Sequence, residues 1–93
     1  MAVSKKHLKD LCQLLAAVDN EQEAALLLED MFTPAERDSL CERWQLVQEL
    51  HKGKPQRQIA EELGLSISKI TKGSRVLKYG PGGFLHFLKK LKK

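Results

Sequence analysis

Lys69, Lys72, Arg75 and Lys78 recur at every third residue of the stretch QRQIAEELGLSISKITKGSRVLK, residues 56–78, and no carboxylate falls between Ser66 and Lys78. A row of cations with no acid among them suits a polyanion, because ammonium and guanidinium groups make charge-assisted hydrogen bonds to phosphate oxygens. Catalysis has no comparable set of residues. The chain contains no Gly-rich phosphate loop, no HExxH, and no Ser/His/Asp trio that helices would obviously converge, so an enzyme is not expected. Cys12 and Cys41 are too few and too far apart for a disulfide framework or a zinc site, and they read as small buried apolar residues. His51 has no second ligand at metal spacing, so no metal site and no resident cofactor is expected.

The cations need an element to hold them. Gln56–Leu63 reads as one helix ending at Gly64, and a second helix opens at Ser66, whose hydroxyl can accept from the first free N–H groups. Ala60 must be small where the helices cross, Gly64 sits where the turn needs positive φ, and Ile70 pins the second helix down. The spacing 60, 64, 70 is that of a DNA-binding helix-turn-helix. The first helix carries Glu61 and Glu62, so the second is the basic one. Its first turn, Ile67, Ser68 and Lys69, would point into a major groove and read base edges. Thr71, Lys72 and Arg75 lie further along and, with Arg57 on the first helix, would hold the phosphate backbone. A solvated lysine-rich helix with no partner is the plainer alternative.

Ninety-three residues make one domain with a modest core, rich in Leu, Ala, Glu and Lys and poor in aromatics, so an all-α fold with no sheet is expected. The net charge of +4 is unevenly spread. Residues 1–45 carry five Lys/Arg against nine Asp/Glu, whereas residues 46–93 carry eleven against three. That asymmetry favours a polyanionic partner for one face without implying sequence preference. The N-terminus lacks the apolar stretch of a signal peptide and no run is long enough to span a bilayer, so a cytoplasmic protein with no membrane contact is expected.

Six helices are expected, at about 4–18, 21–31, 34–52, 56–63, 67–79 and 84–91. Ser4 caps the first, whose apolar positions Leu8, Leu11, Cys12, Leu15 and Val18 recur at helical spacing. The second holds the continuous apolar run Ala24–Leu28. It is greasy on more than one side and should be buried between several helices, some of them from a second copy or all from the same chain. Thr33-Pro34-Ala35-Glu36 is the clearest helix start, with Thr as cap, Pro at the first helical position and Glu closing the box. Leu40, Trp44, Val47, Leu50 and His51 form that third helix's apolar stripe, in which Trp44 reads as core. Gly80-Pro81-Gly82-Gly83 breaks the chain before a last helix that ends in Lys89, Lys90, Lys92 and Lys93, cations suited to a helix C-terminus.

Taken together, FTPAERDSL, QRQIAEELG and ITKGS, spread over Phe32–Lys78, resemble the tryptophan repressor family. Thr33-Pro34-x-Glu36-Arg37 and Ile70-Thr71-Lys72-Gly73-Ser74 are the most specific pieces. The resemblance implies an intertwined homodimer of six helices per subunit, with two copies of the basic helix facing successive major grooves of a roughly palindromic duplex operator. It also implies a corepressor, L-tryptophan, held between the third helix and the recognition helix. In the family the ligand carboxylate meets two arginines. One corresponds to Arg43, and the other falls at Lys72, which keeps the charge but loses the planar fork. Thr33, Val47 and Gly73 match wall positions of that pocket. Val76 stands where tryptophan-binding members have a Ser that accepts from the ligand amino group, and losing that acceptor costs about 1–3 kcal/mol.

The function that follows is a dimeric, sequence-specific DNA-binding transcriptional repressor, controlled by L-tryptophan or a related small corepressor. The alternatives are a helical protein-interaction module whose motif docks an acidic partner, or a nucleic-acid-binding protein that needs no effector.

Overall fold

Side-chain caps start four of the six helices among the described residues. The computed structural model describes residues 3–93, and these residues form α-helices without a strand. The order is α1 (Lys5–Ala16), α2 (Glu21–Met31), α3 (Pro34–His51), α4 (Gln56–Leu63), α5 (Ile67–Tyr79) and α6 (Gly83–Lys90). The chain divides into two compact units, residues 1–37 and 38–93.

In the first unit, Ser4 Oγ accepts from His7 N at 3.2 Å while His7 Nδ1 accepts from Ser4 N at 3.5 Å, a reciprocal cap in which a His does the work usually done by Glu. The helix stops at Ala16, short of the expected Val18. Ala17 N donates to the carbonyls of both Gln13 and Leu14, and Val18 N donates to Leu15 O, so the last turn tightens toward three-residue bonds. α2 starts by the same device: Asn20 Oδ1 accepts from Glu23 N, and Glu23 Oε1 accepts from Asp19 N, both at 2.9 Å. Thr33 and Glu36 form the expected box at the head of α3, with Thr33 N donating to Glu36 Oε1 at 2.9 Å and Glu36 N to Thr33 Oγ1 at 3.2 Å. The Thr33 backbone N–H, and after it the Thr33 hydroxyl, hold the Glu36 carboxyl below its ordinary pKa. Arg37 Nη1 donates to the carbonyls of Glu29 and Phe32, satisfying acceptors that the end of α2 leaves free.

No residue of α1 or α2 is buried. Leu8 is 57 % exposed and Leu26 63 %. Cys12 and Cys41, expected to be buried, are both exposed.

The second unit has a core of Leu46, Ile59 and Ile70, one residue from each of α3, α4 and α5, with Leu50, Ala60, Leu63 and Leu65 packed around it. Full burial of such side chains contributes about 1.5–3 kcal/mol each. Gly64 closes α4 at φ +64°, a left-handed conformation that costs glycine no Cβ clash, and Leu65 N then donates to Ala60 O at 3.1 Å. Lys54 Nζ lies 2.8 Å from Glu49 Oε2 and 2.8 Å from Glu62 Oε2, tying the end of α3 to α4. Trp44 is half-buried and stacks on Phe84, ring centroids 6.2 Å apart at 26°, which seats α6 against α3.

Candidate nucleic-acid interface

Ser66 fixes the start of α5: its backbone is extended and its Oγ accepts from Lys69 N at 3.2 Å. From that start the helix sorts its residues by period. Ile70, Gly73 and Ser74 are buried and Leu77 is half-buried, which makes them the inner face. Ile67, Ser68, Lys69, Thr71, Lys72, Arg75 and Lys78 are all exposed. The first turn therefore offers one apolar, one hydroxyl and one ammonium side chain to solvent, and Ile67 is exposed to 52 %. Thr71 Oγ1 donates to Ile67 O at 2.9 Å, which fixes the rotamer and leaves the oxygen free to accept.

A helix turns about 100° per residue, so a cation at every third position steps back about 60° each time, and four of them fan over about 180° of surface. Lys69 and Lys72 end beside α3, while Arg75 and Lys78 lie around the helix away from it. Of these four, Lys69 alone has an ion-pair partner among the described residues: its Nζ lies 3.4 Å from Glu42 Oε2 on α3. Arg57 is exposed in the first turn of α4. Of the two acids of α4, Glu62 is paired with Lys54, whose Nζ donates to it at 2.8 Å, and it also accepts from Gln58 Nε2 at 2.8 Å. Lys54, and after it Gln58, hold the Glu62 carboxyl below its ordinary pKa. Lys54 and Lys52 do the same for Glu49, and the two carboxylates raise Lys54 in return.

Between α3 and α5 lies an open cleft of about 530 Å³, with Phe84 of α6 at its edge. Four residues named for the corepressor line it, namely Arg43, Lys72, Gly73 and Val76. Val47 is fully buried one position behind Leu46, and Leu46 is the α3 residue that forms the apolar wall. Thr33 belongs to the first unit, where its hydroxyl oxygen accepts from Glu36 N in the α3 cap. Sequence reasoning did not name Ser39, Glu42 and Phe84 as part of this cleft. Ser39 and Glu42 were within reach of it, since they precede Arg43 by four and one positions on the same helix, whereas Phe84 arrives across the Gly80–Gly83 break with no local signal.

A family model described as Trp repressor protein matches residues 6–92. The chain belongs to the Trp repressor family. A Trp operon repressor homolog of Vibrio campbellii is 47 % identical over 64 residues, which is 68 % of this chain and 63 % of that protein, so the match spans less than two thirds of the relative's length. A Trp operon repressor homolog of Pasteurella multocida is 43 % identical over 74 residues, 78 % of this chain and 70 % of its own. In three dimensions the chain is similar to the crystal structure of a Staphylococcus aureus protein described as a Trp repressor candidate, with a TM-score of 0.89 at 24 % identity, covering 96 % of this chain and 89 % of that one. At that identity the likeness establishes the six-helix Trp-repressor-like fold.

Proposed function

We infer that this Trp repressor family member is a DNA-binding transcriptional repressor acting through a helix-turn-helix formed by α4 and α5. The observation that carries the reading is the first turn of α5, where Ile67, Ser68 and Lys69 face solvent at the head of a helix with exposed cations and no carboxylate. Those three side chains read base edges in the major groove. Arg57, Thr71, Lys72 and Arg75 hold phosphates. The acting form is a homodimer, because Leu8, Leu11, Leu14 and Leu15 of α1 and Leu26 and Leu28 of α2 are exposed within one chain. Two copies of α5 about 34 Å apart then read a roughly palindromic operator. The cleft between α3 and α5 takes a small effector, with L-tryptophan the ligand that family membership suggests. An effector wedged there sets the angle of α5, and if it strengthens DNA binding, linkage requires that it bind more tightly when DNA is present.

Selection from a random duplex library, with and without a panel of amino acids, tests this directly. Enrichment of a palindromic site is expected, with affinity falling linearly against salt on logarithmic axes. A library that enriches nothing sinks specific recognition, and a salt slope near zero favours a protein-interaction module.

A further inference from the structure

Residues 63–93 carry eight Lys/Arg and no Asp/Glu, and only four of the eight belong to α5. The other four, Lys89, Lys90, Lys92 and Lys93, crowd the end of α6, where all are exposed and none has an ion-pair partner among the described residues. They are held in place by the fold. Leu88 is fully buried and anchors the helix, and Lys90 Nζ lies 5.8 Å from the centre of the Phe87 ring. Beyond Leu91 the backbone turns back on the helix: Lys92 N donates to Lys89 O at 3.1 Å and Lys93 N to Leu88 O at 2.9 Å, with Lys92 at φ +57°. Among the described residues Lys92 is the only one other than glycine at positive φ. A lysine therefore stands where the turn by itself favours glycine.

The dipole of α6 does not account for this cluster. A helix C-terminus carries about half a negative charge, so about three of the four positive charges are surplus. Nor does α6 offer a free apolar face to a lipid surface. Leu88 is buried, Phe84 stacks on Trp44, and Phe87 and Leu91 line a groove shared with Trp44 and Val76. That groove meets α5 at Val76, nine residues and about 13 Å along the helix from Ile67, so α6 lies away from the base-reading turn. Resting on the DNA-binding reading of α5, we propose that the lysine cluster at the end of α6 is a second phosphate-binding surface for the same duplex. It holds backbone phosphates outside the base pairs that Ile67, Ser68 and Lys69 read, and it adds affinity without sequence preference.

Ethylation interference on the selected duplex, together with binding measured against salt, tests the proposal on the full chain. Lys89→Gln with Lys90→Gln, and Lys92→Gln with Lys93→Gln, should each flatten the logarithmic salt slope by about one to two units, at about 0.9 per phosphate. Each pair should weaken preferred and scrambled duplexes by the same factor and abolish interference at phosphates that Arg75→Ala leaves sensitive. Lys92→Gly separates binding from folding. It should flatten the slope by about one unit while melting no lower than the parent, since glycine suits the left-handed position. Lys→Arg at the same four positions should keep the slope. Unchanged slopes and interference in both pairs overturn the proposal and leave base recognition by α5 standing. So does a changed ratio of preferred to scrambled affinity, which would place the lysines among the reading contacts. Loss of binding to phosphatidylserine vesicles with DNA binding intact would make the cluster a membrane contact and overturns it too. A parent protein that binds no duplex at low salt fails both the DNA reading and the proposal.

Discussion

A β-carbon on Gly73 would stand 2.7 Å from Cδ2 of Leu46 and 3.1 Å from its Cγ, so the crossing of α5 over α3 is as close as it is only because residue 73 has no side chain. Leu46 is 3 % exposed and packed against Ile59 and Ile70, which leaves it little room to retreat. Gly73→Ala gains up to about 1 kcal/mol of helix propensity. It loses about 1–3 kcal/mol to overpacking. A net destabilisation is expected, read as a lower urea midpoint with unchanged slope, and a more stable variant would show that α5 can slide away from α3.

Lys69 and Arg75 sit about 120° apart around α5 and should fail differently. Lys69→Ala should relax base preference at one operator position at a cost of about 1–3 kcal/mol on the preferred sequence. Arg75→Ala should weaken binding to every duplex and flatten the salt dependence by about one unit. Fluorescence anisotropy on a preferred and a scrambled duplex separates the two, and identical behaviour of the variants would remove the distinction between reading and holding.

Glu42 competes with nucleic acid for Lys69 across 3.4 Å. Exposed pairs of this kind are worth about 0–1 kcal/mol. Glu42→Gln should therefore tighten operator binding by no more than about fivefold at low salt, and the gain should fade as salt rises. Weaker binding by the variant would mean that Glu42 positions Lys69 instead of restraining it.

The link between α3 and α4 should depend on pH at both extremes. Lys54 holds the carboxyls of Glu49 and Glu62 below their ordinary value of 4.5, so this contribution to stability is complete above that value and is lost as acid protonates them. Lys54 itself is raised above its ordinary 10.5, so its share is complete below that value and is lost as pH climbs through the folded pKa. Melting temperature should be flat between the two limits. Lys54→Met should lower that plateau and soften both edges, and a variant with unaltered acid and alkaline edges would show that the pairs contribute nothing measurable.

Leu26, 63 % exposed in one chain, belongs at the proposed subunit interface. Leu26→Glu should shift the protein toward monomer in sedimentation equilibrium and weaken operator binding with it, because one α5 alone spans only half a site. A variant that stays dimeric would move the interface off α2.

What the residue order alone determined is everything set within one turn of helix. Ser66 as the cap of α5, the Thr33–Glu36 box and the left-handed Gly64 depend on partners no more than four positions away, so residue type and spacing suffice to name them. The six helices follow from the same local rules and from apolar periodicity, with α1 ending early at Ala16 because its last turn tightened. Contacts between distant segments were decided only by the tertiary structure. The approach of Gly73 to Leu46, the arrival of Phe84 at the cleft, the burial of Val47 and the exposure of Cys12 and Cys41 all depend on which helix face meets which, and periodicity names a face without naming its neighbour. The cleft is the clearest case: its cations were visible as letters, but that Lys69 pairs with Glu42 while Arg43 and Lys72 have no ion-pair partner among the described residues is a property of distances, which no local pattern encodes.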